Sequence, residues 1–303
     1  MAAKTLGSRI GSKAHYNSRR WLDNLATIAL WGAAIAILLL LAFFIGYLVW
    51  VGASAVSWHF LTSPPSETSA GGGIGPEIFN SFYILFLTLA FILPIAVSAG
   101  IFMQEYAHPG LFRNIVQFSA ESLATVPSIV MGLFGLLVFV YIFHWKFSAL
   151  GGALTLTILN LPALMRVTQE AMASVPDTYR EASMGLGATK WQTIVRAVLP
   201  SAIPPLTTGL VLIAGRIFGE TAALIYTAGV SVPTNNPYDV GLFHTAETLA
   251  VHLWYTHSES LVPDVDKVGN GSALVLLGMV LIFNVLARIL GRFLSVRLTG
   301  KSQ

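Results

Sequence analysis

The fold is decided by residues 166–205, which read RVTQEAMASVPDTYREASMGLGATKWQTIVRAVLPSAIPP. This polar stretch lies between two long apolar segments and has the pattern of helices. Pro176 and Asp177 stand where a helix would begin, because proline in a first turn lacks only an N–H that would be unpaired anyway. Gly185 and Gly187 predict the end of that helix, since glycine accepts the left-handed conformation of a C-terminal cap.

A second helix is expected from about Thr189 to Val198, ending at Pro200. The stretch therefore predicts a helix, a glycine turn and a second helix outside the membrane. A short helix of small residues suits docking into a groove of another protein. Packing of the same loop on its own bundle is an equal alternative on physical grounds.

The segments around this loop are apolar enough to cross a membrane. Hydrophobic residues make up 55% of the chain and charged residues only 10%, against roughly a quarter charged in soluble domains. Each predicted span has roughly 17 or more residues, enough for a hydrocarbon core of about 30 Å. The six spans are Leu25–Val51, Ile78–Met103, Ile115–Phe143, Leu150–Arg166, Ile203–Tyr226 and Ala273–Leu294.

The absence of cysteine excludes disulfides, thiolate metal sites and a cysteine nucleophile. Basic residues then orient the spans, because lysine and arginine stay on the cytoplasmic side. Only Lys146 and Lys267 fall on the other side, and Arg216 lies inside a span. The cytoplasmic group is Lys4, Arg9, Lys13, Arg19, Arg20, Arg113, Arg166, Arg180, Lys190, Arg196, Arg288, Arg292, Arg297 and Lys301.

The sequence thus predicts an all-α membrane protein of six transmembrane helices with both termini in the cytoplasm. The expected parts are a cytoplasmic tail (1–24), a first transmembrane helix (25–51), a core (78–294) with a coupling loop at about 176–200, and a second tail (295–303).

Two charges lie inside the fifth predicted span. Arg216 and Glu220 are four residues apart, which puts them on one helix face about 6 Å apart. A charge at the bilayer centre costs about 2.5 kcal/mol or more, so such residues face a partner or a water-filled path. One interpretation is an internal ion pair. The other is a lining for an anionic substrate, with Thr221 as an additional hydroxyl donor.

An anion path gives each charge a role. Guanidinium matches two oxygens of a phosphate-like anion, and a carboxylate can accept the OH of hydrogen phosphate, which sulfate lacks at neutral pH. Gly215 and Gly219 have the small-xxx-small spacing that allows a neighbouring helix to approach.

Other polar residues carry weaker signals. His252 and His257 are five residues apart, so interfacial polar residues are favoured over a metal site in the external loop at about 228–271. Glu77, just before the second span, is expected to be solvated. No segment has the pattern of a phosphate-binding P-loop. The chain is therefore expected to be non-catalytic and to bind no cofactor, with ATP handled by another protein.

One pattern resembles the EAA loop of ATP-binding-cassette (ABC) importer permeases: Glu181-Ala182-Ser183, three intervening residues, Gly187, nine intervening residues, then Ala197-Val198-Leu199-Pro200. Ser183 and Ala197 depart from the family's alanine and isoleucine. The resemblance implies a type I (MetI-like) permease bundle whose loop is a coupling helix. Its ATPase-coupling residues would be Glu181, Ala182, Ser183 and Gly187.

Two further segments, ATVPSIVMGLFGLL at 124–137 and RIFGETAALIYTAG at 216–229, resemble permeases of the phosphate-specific importer. NVLARIL at 284–290 and the SPPS…GGGI loop at 63–74 resemble its A-type subunit more than its C-type partner. Pro127 and Ser128 are expected to form a kink rather than a substrate site. The resemblance implies a location in the inner membrane and a substrate path at Arg216 and Glu220.

The same resemblance implies the partners. They are a homologous second permease, two ATPase subunits that bind ATP and Mg²⁺, an external phosphate-binding protein and membrane lipids, with no nucleic acid. Three alternatives stay open: a permease for another oxyanion such as sulfate or molybdate, an ion-gradient-driven secondary transporter, and a membrane scaffold.

Overall fold

A computed structural model of the protein describes residues 3–66, 69–259 and 262–299. Within these ranges all regular secondary structure is helical, and there is no strand. The helices are α1 (Ala3–Gly52), α2 (Trp58–Thr62), α3 (Gly75–Ile101), α4 (Leu111–Ala124), α5 (Ser128–Gly135), α6 (Ala149–Ala173), α7 (Asp177–Gly185), α8 (Lys190–Thr193), α9 (Leu199–Phe218), α10 (Ala222–Ile225), α11 (Leu249–Ser258) and α12 (Val265–Thr299). Lys301, counted above as cytoplasmic, lies outside the described residues.

Five stretches of helix are long and apolar enough to cross a membrane, and a sixth is formed if one bent pair counts as a span. The five are Asp23–Gly52, Gly75–Tyr106, Ala149–Ala173, Lys190–Phe218 and Val265–Phe293. The all-α class is therefore confirmed, and five of the six predicted spans overlap these helices. Helix α1 is a unit of its own and begins at Ala3, within the segment expected to be a tail.

The predicted third span is wrong as a single helix. It is divided into α4 and α5, extended by a π-helical segment to Ile142, and the two parts meet at 98°. Pro127 stands at the break with φ −59° and ψ 140°, as the cap of α5. The residue before a proline is pushed out of the α region of backbone conformation, which breaks the helix here. The apolar sequence nevertheless continues past this point, so hydropathy alone predicts one span.

The prediction that Pro200 ends the second loop helix is also wrong. Helix α8 continues through a π-helical segment, Ile194–Val198, into α9, where Pro200 lies in the first turn. Proline removes one i→i−4 hydrogen bond and crowds the preceding turn. The π turn just before Pro200 has wider, i→i+5 hydrogen bonds. The chain therefore stays helical from Lys190 to Phe218 despite the proline.

Helices α3 and α6 form the centre of the core from Ser54 onward. Ile84, Leu85 and Ile92 on α3 and Leu156 and Leu164 on α6 are fully or almost fully buried. Lipid tails are as apolar as these side chains, so close packing rather than the hydrophobic effect joins such helices. Small residues make that packing close: a side chain at Gly100 of α3 would meet Thr168 of α6 at 2.5 Å.

The bent segment is held by two further close approaches. A Cβ at Gly132 of α5 would lie 2.8 Å from Cα of Ala223 in α10. One at Gly135 would lie 2.3 Å from Thr155 Oγ1 and 2.6 Å from Thr227 Cγ2. The segments at 124–137 and 216–229, which are distant in sequence, therefore pack directly on each other.

We expect Gly132→Ala to destabilise the bundle by about 1–3 kcal/mol, because the added methyl group meets backbone that cannot move aside. Gly278→Ala is the matched control, since nothing lies within 4 Å of its added Cβ in α12. Thermal unfolding of the purified chain in detergent compares the two. Equal unfolding midpoints for Gly132→Ala and the wild type would contradict the packing described here.

Candidate functional site

The loop between α6 and α9 presents a short exposed helix. Pro176 caps α7, and Asp177 lies in its first turn, where an acidic side chain complements the helix dipole. The helix ends at Gly185, and Gly187 adopts φ +86°, which favours glycine. The predicted helix start and glycine turn are thus confirmed as structure.

The residues carried over from the EAA pattern lie on and after α7. Glu181, Ala182 and Gly187 are exposed, and Ser183 is half-buried. Ser183 Oγ lies 2.9 Å from Thr193 Oγ1, so the serine that replaces the family's alanine forms a hydrogen bond to the second arm of the loop. The exposed apolar side chains next to these residues are Tyr179, Met184, Leu186 and Trp191.

Arg180 anchors α7 to the end of α3, a feature that sequence reasoning missed. Its Nη2 lies 2.6 Å from Glu105 Oε1, and the two side chains are only 15% and 7% exposed. Arg180 also donates to the carbonyls of Val175 at 2.8 Å and Met172 at 3.0 Å. The hydrogen bonds that Arg180 donates to the Glu105 carboxylate, together with the negative charge of that carboxylate, raise the pKa of Arg180 above its ordinary value.

Lys190 reinforces the same junction. Its Nζ donates to the backbone carbonyl of Glu105 and lies 4.9 Å from the ring centroid of Tyr106. Both arms of the loop are therefore attached to the π-helical segment Phe102–Tyr106 that ends α3. These contacts join α7 and α8 to the end of a membrane-spanning helix.

The membrane charges have a different geometry from the one predicted. Helix α9 ends at Phe218, so Arg216 lies in its last turn while Glu220 and Thr221 lie in the break before α10. The expectation of one continuous helix face is wrong. Gly219 follows the last helical residue and ends the regular hydrogen bonding, with its own N–H donating to the carbonyl of Arg216 at 3.2 Å.

Arg216 and Glu220 do not pair with each other. Arg216 is exposed and has no ion pair with any carboxylate in the described part of the chain. Glu220 is half-buried, and its Oε1 accepts the N–H of Ala223 at 3.3 Å. The interpretation as an internal ion pair is therefore wrong in this conformation.

The structure also places the threonine and the two glycines that flank these charges. Thr221 Oγ1 donates to its own backbone, at the carbonyl of Gly219 (3.4 Å). No backbone of another helix in the described residues packs closely on Gly215 or Gly219, since a Cβ on either would have ordinary contacts at 3.8 Å or more. Gly132 and Gly135 have that role instead.

The sequence profile of the family described as binding-protein-dependent transport system inner membrane component matches residues 94–300. The chain belongs to this family. The permease is accordingly a multi-pass inner-membrane transport subunit of an ABC importer system, in which the ATPase is a separate partner.

Two curated relatives have amino-acid sequences similar to that of this permease. The permease is 42% identical over 294 residues to the probable ABC transporter permease protein YqgI of Bacillus subtilis, covering 93% of this chain and 99% of that protein. It is 33% identical over 208 residues to the phosphate transport system permease protein PstA 2 of Mycobacterium bovis, covering 67% of this chain and 68% of that protein.

A solved structure shares the fold at low identity. The permease superposes with a TM-score of 0.66 and 18% identity on a chain of a bacterial alginate ABC transporter, solved in complex with an alginate pentasaccharide-bound periplasmic protein. The match covers 90% of this chain and 96% of that one. The fold is that of type I, MetI-like importer permeases.

We expect Arg180→Ala to loosen α7, because it leaves the Glu105 carboxylate buried without its partner, at a cost of about 3–5 kcal/mol. Arg166→Ala is the control, since that side chain is 68% exposed and its ion pairs with Glu121 and Glu170 are on the surface. Hydrogen exchange of the α7 amides measures the effect. Wild-type protection in Arg180→Ala would contradict an anchoring role.

Proposed function

We propose that this permease is one of two membrane subunits of an ATP-driven importer for inorganic phosphate in the inner membrane. Both termini lie in the cytoplasm. Its partners are a homologous second permease, two ATPase subunits and an external phosphate-binding protein. The chain itself binds no cofactor, and ATP with Mg²⁺ belongs to the ATPase subunits.

The observation that carries this proposal is that Arg216 lies in a membrane-spanning helix without an ion-pair partner. Its guanidinium lies in the last turn of a membrane-spanning helix, exposed and without a carboxylate partner in the described residues. An arginine kept in a membrane at this cost serves a path or a partner. Its planar donors suit an oxyanion, which they can hold through two parallel charge-assisted hydrogen bonds.

Glu220 supports phosphate over other oxyanions. Its Oε1 is occupied by the N–H of Ala223, whereas Oε2 has no hydrogen-bond partner among the described residues. That oxygen can accept the hydroxyl of hydrogen phosphate. Sulfate has no proton to offer, and an anion facing a carboxylate without a shared proton is repelled. The similarity to phosphate transport permeases supports the same choice of substrate.

Thr221 adds a hydroxyl beside these two charges. In the described conformation it donates to the carbonyl of Gly219 at the long distance of 3.4 Å. Such a bond is weak and can be exchanged for one to a substrate oxygen. The proposed path therefore consists of Arg216, Glu220 and Thr221, all within the last turn of α9 and the break that follows it.

The coupling function is assigned to Glu181, Ala182, Ser183 and Gly187. The first two are exposed on α7, among apolar side chains that no other part of the described chain covers. An exposed short helix with an apolar surround is suited to a groove of the ATPase subunit. The contacts of Arg180 and Lys190 with the end of α3 would then transmit a movement of α7 to the membrane.

The remaining alternatives are weaker. A permease for sulfate or molybdate has no use for Glu220. A secondary transporter and a scaffold are opposed by membership in a family of importer components.

We expect Arg216→Ala to lower phosphate uptake on the order of a hundredfold, since a bidentate charge-assisted contact contributes about 3 kcal/mol. Uptake of labelled phosphate by the complete transporter in proteoliposomes, with its binding protein, measures this. Glu220→Gln should reduce the preference for phosphate over sulfate. Normal uptake by an assembled Arg216→Ala transporter would refute the proposed path.

We expect Gly187→Pro to uncouple ATP hydrolysis from uptake, because proline cannot adopt the φ of +86° that the turn after α7 requires. Gly185→Ala is the control, since its φ is not positive and nothing lies within 4 Å of the added Cβ. ATPase activity and phosphate uptake are measured on the same proteoliposomes. Tight coupling in Gly187→Pro would contradict the role of this loop.

A further inference from the structure

Three side chains that can bind a metal converge on the side of the bundle opposite α7. Glu77 lies in the first turn of α3, Glu247 precedes α11 and His252 lies within α11. His252 Nδ1 is 3.1 Å from Glu247 Oε1 and 3.9 Å from Glu77 Oε1. One ligand atom from each of the three lies within 4.8 Å of the others.

This cluster is buried, contrary to the expectation that Glu77 is solvated. Glu77 is 0% exposed, Glu247 3% and His252 7%. Both carboxylate oxygens of Glu77 are buried and accept no hydrogen bond from the described residues. An ionised carboxylate in that position is costly unless a positive charge compensates it. With both carboxylates ionised, even a protonated histidine would leave the three groups with a net negative charge.

We propose that Glu77, Glu247 and His252 bind one divalent transition-metal ion, Zn²⁺ or Mn²⁺. One imidazole nitrogen with two carboxylate oxygens is a ligand set that these ions accept, whereas Ca²⁺ and Mg²⁺ favour oxygen alone. Two ligands of one zinc ion lie at most about 4.2 Å apart, twice a bond of about 2.1 Å. The separations of 3.1 Å and 3.9 Å from His252 Nδ1 are within that limit, and all three ligand atoms lie within 4.8 Å of one another.

The histidine ring is oriented as a metal ligand. Nδ1 faces the two carboxylates, and Nε2 lies 3.4 Å from Thr256 Oγ1. With the proton on Nε2 donated to Thr256, the lone pair of Nδ1 points at the carboxylates. A metal-bound histidine commonly donates its other ring N–H to such an outer partner, which fixes the tautomer.

The surrounding hydrogen bonds hold Glu247 in place. Asn80 Nδ2 donates to the Glu247 carbonyl at 3.1 Å, and Ser81 Oγ accepts the N–H of Leu249 at 2.9 Å. Both bonds join the segment before α11 to α3. The cluster thus rests on two helices that are already fixed to each other, as a preorganised metal site requires.

The cluster is also accessible to an ion. Glu247 and His252 line a cavity of about 590 Å³ together with Tyr255, Thr256 and Glu259. Water in this cavity can complete the coordination of an ion that the protein holds through three ligands. A bound ion would join α11 to the start of α3 and stiffen the face of the permease that carries the external loop.

The test measures metal binding by the purified, nucleotide-free transporter. The transporter is dialysed to equilibrium against Zn²⁺ or Mn²⁺, and the bound metal is quantified by elemental analysis. We expect one ion per copy of this chain. His252→Ala and Glu247→Gln should each weaken binding more than a hundredfold, beyond the tenfold to hundredfold effect of losing an outer partner. His257→Ala is the control, because this side chain lies on the same helix but belongs neither to the cluster nor to the cavity lining.

A wild-type measurement keeps the test decisive if the variants do not fold. Zn²⁺ or Mn²⁺, but not Mg²⁺, should raise the unfolding midpoint, and a chelator should reverse the rise. X-ray absorption of the loaded wild type should show one imidazole nitrogen with oxygen ligands. Absence of saturable binding, binding equal in His252→Ala and the wild type, or a shell of oxygen alone would overturn the proposal.

Discussion

The structure depends on one constraint: a backbone polar group in hydrocarbon has no water to bond with and must be satisfied by protein. Unbroken helices meet this requirement alone, but this chain interrupts two of its membrane segments, near Pro127 and at Gly219. The two interruptions are brought together, with Gly132 of α5 against Ala223 of α10. Thr227 Oγ1, at the same contact, donates to the carbonyl of Ala223 at 2.8 Å. The helices that follow the two breaks, α5 and α10, therefore pack directly on each other.

The same constraint governs where charge is placed. On one side of the bundle the Arg180–Glu105 pair is almost buried but satisfied by bidentate contact and by two backbone carbonyls. On the opposite side, Glu77 is buried without a hydrogen bond to its carboxylate. Arg216, in the last turn of α9, is exposed. Placing a charged group within a membrane protein costs free energy, so each of these three arrangements indicates a specific structural or functional role.

Much of the fold was predictable, because hydropathy and proline or glycine signals act locally. The apolar spans and the start of α7 at Asp177 followed from such signals. The break near Pro127 was expected only as a kink, and the helix through Pro200 was not expected at all. Hydropathy counts apolar residues without registering a change of direction, and a π turn can accommodate a proline that would end a regular helix.

Sequence alone determined the membrane class, the helical content, the EAA-type loop and the unusual presence of Arg216 and Glu220 in an apolar segment. Tertiary structure alone decided that these two charges do not pair, that Arg180 meets Glu105, and that Glu77 joins Glu247 and His252. The reason is distance along the chain: local patterns specify helices and turns, whereas contacts between residues far apart in sequence depend on how the helices pack and where they break.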